Sequence, residues 1–246
     1  MTDALLGAAV LEPDSVVLDL AAGSGDPALT IAERLTTGRV IALDSSPTGL
    51  LLADSRARQV GLQSKITWVQ ADAHAIPLVR NYVERITCRC GVMFFSNTRL
   101  VMSEIMRVLK PGGRVALLAW GQFEQPFFEN TVSVVLRLVS GAEMPPQART
   151  MFRFAMPGSL ERELRAAGFR DVTEQLITVP RIWNASPQEL WTYLQEVSTL
   201  CHPLFDGIPA ALRAKVDAEV SSALKRFGCG EALRVPANVI VAVGKR

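Results

Sequence analysis

Residues 16–26 read Val16-Val17-Leu18-Asp19-Leu20-Ala21-Ala22-Gly23-Ser24-Gly25-Asp26. The run Ser15–Leu20 is short, apolar and rich in Val and Leu, the composition of a strand buried on both faces. It breaks into a turn of small residues, Ala21–Gly25, whose backbone can approach a ligand closely. Beyond the turn, Asp26 as N-cap and Pro27 in the first turn predict a helix start. Ala28, Ile31, Ala32 and Leu35 fall at i, i+3, i+4 and i+7 and give that helix one apolar face, and Gly38 predicts its end. A strand, a glycine turn and a helix in this order aim backbone N–H groups at a ligand. A side chain added at Gly23 is expected to obstruct that approach.

Working outward, the unit repeats. Arg39–Leu43 predicts a second strand ending at Asp44, and Ser46-Pro47 opens a helix closed by Gly61. Ile66–Gln70 predicts a third strand ending near Asp72, and Glu84–Arg89 a fourth. Thr98–Leu109 predicts a helix with Val101, Ile105 and Val108 inward, Pro111-Gly112-Gly113 a turn, and Arg114–Trp120 a fifth strand. Strands alternating with helices predict a parallel, doubly wound α/β sheet. After Trp120 the pattern changes. Gln125–Val139 and Pro145–Phe154 read as helical and aromatic-rich, Gly158–Gly168, Pro187–Ser198 and Pro209–Phe227 as helices, and Arg170–Val179 and Val235–Val243 as strands.

Composition narrows the class. Lys plus Arg number 26 against 24 Asp plus Glu, a net charge of +2, which is no electrostatic footprint for nucleic acid or an anionic membrane. With 49% hydrophobic and 20% charged residues, the chain is not disordered. No apolar run approaches the ~18 residues of a membrane span, so no stable membrane insertion is expected. The opening MTDALLGAAVLEPD lacks the basic region of a secretory signal. Cys88, Cys90, Cys201 and Cys229 are too scattered for a disulfide scaffold and match no zinc spacing. A cytoplasmic protein without a metal is the expectation.

Three acids sharpen the reading. Asp19 ends strand one just before the glycines, where it would repel a pyrophosphate but tolerate a cationic ligand. Asp44 ends strand two, where a carboxylate can accept hydrogen bonds from a ribose diol. Asp72 ends strand three and can accept from an adenine amino group, with the Ala73 N–H reaching a ring nitrogen. All three sit at carboxyl ends of parallel strands, where open α/β sheets bind ligands.

With these residues in place the chain resembles the class I S-adenosylmethionine-dependent methyltransferases, in the methyltransferase type 11 group that includes ubiquinone and menaquinone C-methyltransferases. The carrying segments are VVLDLAAGSGDPALTIAE (16–33), VIALDSSP (40–47), VQADAHAIPL (69–78), and ITCRCGVMFF through EIMRVLKPGGRVALLAW (86–120). Beyond residue 121 the resemblance is architectural, including FRFAMPGSLERELRAAGF (152–169). It implies a Rossmann-like seven-stranded, mostly parallel sheet of order 3-2-1-4-5-7-6, with an antiparallel last strand and helical cap insertions. It implies one methyltransferase domain over 1–246: a cofactor-binding half in 1–121, a helical cap and substrate region with late strands in 122–230, and a final strand in 231–246.

The resemblance also implies S-adenosyl-L-methionine as cofactor. Asp19 and the Gly23-Ser24-Gly25 turn would hold its amino-acid end, and Asp44 the ribose hydroxyls. Asp72 and Ala73 would flank the adenine. Arg89, Cys90 and Gly91 would lie near the methionine portion and the sulfonium, with Ala21 and Ser45 completing the set. Methyl transfer from a sulfonium is an in-line displacement that mainly needs the reactants aligned at ~3 Å. A base is required only if the nucleophile arrives protonated. His74 reads as a surface or adenine-side residue and His202 as a structural or surface one, so no catalytic residue is named. Met93-Phe94-Phe95, Trp120, Phe123, Phe127-Phe128, Phe152, Phe154, Trp183 and Trp191 suggest a small apolar or aromatic methyl acceptor.

Competing readings are weaker. A nicotinamide-dependent oxidoreductase has a similar turn-to-acid spacing, nineteen residues from Gly25 to Asp44, but the third glycine of its fingerprint is Ala28 here. A nucleic-acid methyltransferase would carry a D/N-P-P-Y/F-like loop where this chain has Arg89-Cys90-Gly91-Val92. A non-catalytic binding module is motivated by the short stretch 1–14 before strand one, where relatives carry longer amino-terminal helices; Ala21 in place of the first glycine of the family turn is a departure that the quinone-methylating branch resembles. The oligomeric state is left open.

Overall fold

The apolar run ahead of the glycine turn is an interior strand of the sheet. The computed structural model describes residues 1–246. Strand β1 is Val16–Leu20, preceded by helix α1, Thr2–Ala9. There follow α2 (Ala28–Arg34), β2 (Arg39–Asp44), α3 (Pro47–Gln59), β3 (Ile66–Gln70), β4 (Val83–Arg89), α4 (Thr98–Val108) and β5 (Leu109–Trp120). Val17, Leu18, Leu20, Val40 and Ala42 are fully or almost fully buried. The expected face of α2 packs there: Ala28, Ile31, Ala32 and Leu35 share one cluster with Val17, Val40 and Ala57. β1 pairs in parallel with both β2 and β4, Val17 facing Val40 on one side and Arg85 on the other. β3 extends the parallel sheet beyond β2, and β5 beyond β4.

The later elements are α5 (Pro126–Glu129), α6 (Val132–Leu138), α7 (Pro146–Arg149), α8 (Ser159–Ala166), β6 (Arg170–Trp183), α9 (Pro187–Val197), α10 (His202–Asp206), α11 (Ala210–Lys225), β7 (Gly228–Cys229) and β8 (Ala232–Lys245). The sheet runs β3-β2-β1-β4-β5-β8-β6, with the two-residue β7 paired only to β8. The expected order therefore holds, with β8 as its seventh strand and β7 a hairpin stub that pairs antiparallel with Ala232–Leu233. β8 runs opposite to β5: Arg246 meets Gly112 and Gly113 at one end, and Asn238 accepts from the Gly121 N–H at the other. The chain divides into two compact units, Met1–Trp120 with Phe154–Ile177 and Ile240–Arg246, and Gly121–Arg153 with Thr178–Val239. No helix is long and apolar enough to cross a membrane.

Two local expectations fail for identifiable reasons, and a third is refined. Pro111-Gly112-Gly113 is not a turn before β5 but an irregularity inside it. Val83 faces Leu109 and Arg85 faces Arg114, so five residues of β5 span two of β4. Gly112 sits at φ +78°, and a Cβ on Gly113 would meet the Leu109 side chain and the Lys110 carbonyl at 2.8 Å. Asp26 does not cap α2. The helix starts at Ala28, without a side-chain cap, because the Asp26 carboxylate is taken by Arg89 and Thr2. The helical stretch expected over Gln125–Val139 is present as two helices, α5 and α6, separated at Asn130-Thr131. There Asn130 Nδ2 donates to the Pro126 carbonyl and Thr131 Oγ1 to that of Phe127, side-chain bonds that compete with the helix ladder.

Candidate functional site

At the carboxyl ends of β1, β2 and β3 lies a cleft of about 330 Å³. It is lined by Ala21, Leu43, Asp44, Ser45, Ala71, Asp72, Ala73, His74, Gly91, Phe94, Phe95 and Ser96. Its floor is a close approach of two turns. Ala21 and Cys90 both lie in the left-handed region, at φ +57° and +58°. That conformation is costly for residues with a Cβ and collects at functional sites. Between them Gly91 has no alternative: a Cβ there would stand 2.3 Å from Ala21 Cβ and 2.9 Å from Cys88 Sγ.

The acids divide their work. Asp44 Oδ2 accepts the Gly23 N–H at 2.8 Å and Oδ1 the Ser46 N–H at 2.8 Å. It thus pins the glycine turn to the end of β2 while its carboxylate lines the cleft. The Gly23 amide is spent on Asp44 rather than offered to a phosphate, which argues against the dinucleotide reading. Asp72 accepts from its neighbour His74 twice on Oδ1, from the backbone N–H at 2.9 Å and from Nδ1 at 2.5 Å. Those bonds favour the anion and hold its carboxyl below the ordinary range.

Asp19 lies behind the glycine turn, fully buried. Oδ1 accepts from Thr87 Oγ1 at 2.7 Å, while Oδ2 has no hydrogen-bond partner. Burial pushes its carboxyl up to about 7, against the Thr87 hydrogen bond and the charge of Arg89. A buried carboxylate oxygen left unmatched is rare in folded chains and is what a cationic ligand group would satisfy. Together with the glycine-floored cleft, it fits the amino-acid and nucleoside ends of S-adenosylmethionine.

Of the residues expected to hold the cofactor, Ala21, Asp44, Ser45, Asp72, Ala73 and Gly91 line the cleft; Asp19, Gly23, Ser24, Gly25, Arg89 and Cys90 do not. Arg89 is bound to the Asp26 carboxylate, donates to the Asp26 carbonyl at 2.8 Å, and donates to Thr2 Oγ1 at 2.8 Å. It ties α1 to the glycine turn. Ser24 accepts from Arg56 at 3.0 Å through both its carbonyl and its hydroxyl, and Gly25, at φ +104°, packs on Ala53 of α3.

The sequence reading missed Ser96, Leu43 and Ala71 as cleft residues and left His74 between the surface and the adenine side, where the structure puts it in the cleft. For His74 the available signal was its position two residues after Asp72, the spacing of an Asx turn. His202 lies 3.2 Å from the Glu196 carbonyl through Nε2, a local contact. In the second unit, Phe123, Phe127, Phe128 and Phe152 form a ring network with centroids 5.0–5.5 Å apart. Trp191 is buried with Nε1 donating to Asp217 at 2.8 Å. These are packing arrangements. No cluster of three or more His, Cys, Asp or Glu could hold a metal.

Comparison with known proteins gives the family. A family profile described as a methyltransferase domain matches residues 17–113, the span from β1 to the β5 irregularity. Demethylmenaquinone methyltransferase of Thermus thermophilus is 30% identical over 175 residues, 66% of this chain and 77% of that protein. The ubiquinone/menaquinone biosynthesis C-methyltransferase UbiE of Rhizobium meliloti is 29% identical over 173 residues, 65% of this chain and 66% of the relative. Among solved structures, YcgJ of Bacillus subtilis has the same fold, with a TM-score of 0.60 at 20% identity, covering 100% of this chain and 97% of that one. Phosphoethanolamine N-methyltransferase 2 of Haemonchus contortus, solved with phosphomonomethylethanolamine and S-adenosylhomocysteine, shares it at TM-score 0.63 and 17% identity, over 100% of this chain and 52% of that one. The strand order, the glycine turn and the sequence matches together place the chain in the class I S-adenosylmethionine-dependent methyltransferases.

Proposed function

We propose that this protein transfers a methyl group from S-adenosylmethionine to a small apolar or aromatic acceptor, with a quinone-type ring as the leading candidate. The observation that carries the cofactor half is the cleft in which Asp44 and Asp72, on adjacent strand ends, flank a floor that only glycine at 91 permits. Asp44 would accept from the ribose hydroxyls, Asp72 and Ala73 would meet the adenine edge, and Asp19 with the 23–25 turn would serve the amino-acid end. The cofactor supplies, when bound, an electrophilic methyl carbon on a good leaving group. The chain's own task is to orient and desolvate, because alignment contributes most in such a displacement. Support for the acceptor class comes from the quinone C-methyltransferases to which the chain is about 30% identical.

Calorimetric titration with S-adenosylhomocysteine, with NADH as control, tests the cofactor half. Micromolar binding of the former alone is expected, and binding of NADH alone would overturn the reading. Transfer of labelled methyl to a reduced naphthoquinone lacking its ring methyl then tests the acceptor. Turnover on a phenolic or amine acceptor, with none on the quinol, would replace the quinone assignment.

A further inference from the structure

We propose that His74 is a positioning residue that staples the two walls of the nucleotide cleft together and so sets how tightly the adenine end of the cofactor is held. This rests on the cofactor reading above. One wall is the segment after β3, residues 71–74; the other is the segment between β4 and α4, residues 91–97. The His74 ring belongs to the first wall and reaches the second. Its Nε2 accepts the Asn97 backbone N–H at 3.1 Å, and Ser96 Oγ lies 3.2 Å from the same nitrogen. A ring nitrogen that accepts an N–H carries no proton, so the imidazole proton is on Nδ1 and is donated to Asp72 Oδ1. Asp72 thus fixes the tautomer that lets Nε2 act as acceptor. Phe95 of the second wall packs edge-on against the ring, centroids 6.2 Å apart.

The staple is local. Asn97 also caps α4 through its own side chain, which accepts the Leu100 N–H at 3.1 Å. Further along the same loop, Glu104 accepts the Ile76 N–H at 2.8 Å, and Arg107 donates to the carbonyls of Ile76 at 2.7 Å and Leu78 at 2.6 Å. That clamp anchors residues 76–78 to α4 without His74. What His74 alone controls is the spacing at the rim, where Ala73 and Phe94 face the same cleft.

Glutamine and asparagine separate the two halves of the imidazole. A Gln amide reaches the place of Nε2, whereas an Asn amide reaches only that of Nδ1. Wild type, His74→Leu, His74→Gln and His74→Asn are titrated with S-adenosylhomocysteine and with adenosine, and their thermal unfolding is measured without ligand. His74→Leu is expected to weaken both ligands by the same factor, about tenfold, the loss of one hydrogen bond that orients a wall. His74→Gln should recover most of that loss and His74→Asn should not, with all variants unfolding within a few degrees of wild type. If His74→Leu does not fold, the Gln and Asn pair carries the same comparison. Wild-type affinity in His74→Leu, or rescue by Asn rather than Gln, overturns the staple. A wild-type protein that binds neither ligand overturns instead the cofactor reading beneath it.

Discussion

Asp19 is the residue whose surroundings make the sharpest demand. Its folded-state pKa is raised from 3.8 to about 7 by burial, so between those values the native protein binds more protons than the unfolded chain. Stability contributed by the protonated form is fully present below about pH 4 and is lost as pH rises towards 7, by on the order of 4 kcal/mol at most. Urea unfolding of wild type and Asp19→Asn across this range should give a difference that falls with pH and then flattens. Parallel curves would show that Asp19 does not titrate there. Two glycines make a complementary pair. At Gly23, φ is +52° and a Cβ would meet nothing of the protein within 4 Å, so Gly23→Ala should cost about 1–2 kcal/mol in backbone strain and obstruct the ligand. At Gly91 the added carbon strikes Ala21, so Gly91→Ala should lower the melting temperature more than Gly23→Ala does. The reverse ranking in melting experiments without ligand would mean that the floor yields easily.

At the scale of elements, local signals succeeded where backbone and side chain cooperated. α3 begins where Ser46-Pro47 predicts, with Ser46 Oγ accepting the Gly49 N–H. α9 carries a full capping box: Ser186 accepts the Glu189 N–H at 3.2 Å and Glu189 accepts the Ser186 N–H at 2.9 Å. Ser186→Ala should destabilise by about 1 kcal/mol, measured by denaturant unfolding. An unchanged midpoint would mean that α9 frays outside the cooperative transition. Local signals failed where a distant partner intervened. Asp26 reads as an N-cap, yet Arg89, 63 positions away, claims its carboxylate. Pro111-Gly112-Gly113 reads as a turn, yet β4 pairs with both ends of the segment across a shift of register.

For the whole molecule, the cofactor assignment has a thermodynamic consequence. A ligand that binds only the folded state at 100 times its Kd adds about 2.7 kcal/mol. For a chain of 246 residues that is a rise in melting temperature of roughly 5–10 °C. Saturating S-adenosylhomocysteine should produce it in a thermal scan, and NADH should not; an equal shift from both would remove the specificity claimed for the cleft.

Much of this was open to reading along the chain. The alternation of apolar strands and amphipathic helices and the placing of Asp19, Asp44 and Asp72 at strand ends follow from periodicities and punctuation that neighbouring residues impose on one another, whereas the order of the sheet was implied by the family resemblance. What needed the folded chain was which of the expected residues share a surface. Arg89 and Ser24 became framework because Asp26 and Arg56 lie beside them in space, and His74, surface or adenine-side by its sequence, became a link across the cleft because the Asn97 amide lies beside it. Strand and helix are decided by interactions a few positions apart, whereas a hydrogen bond between residues 23 or 63 positions apart exists only once the sheet has brought its strand ends together.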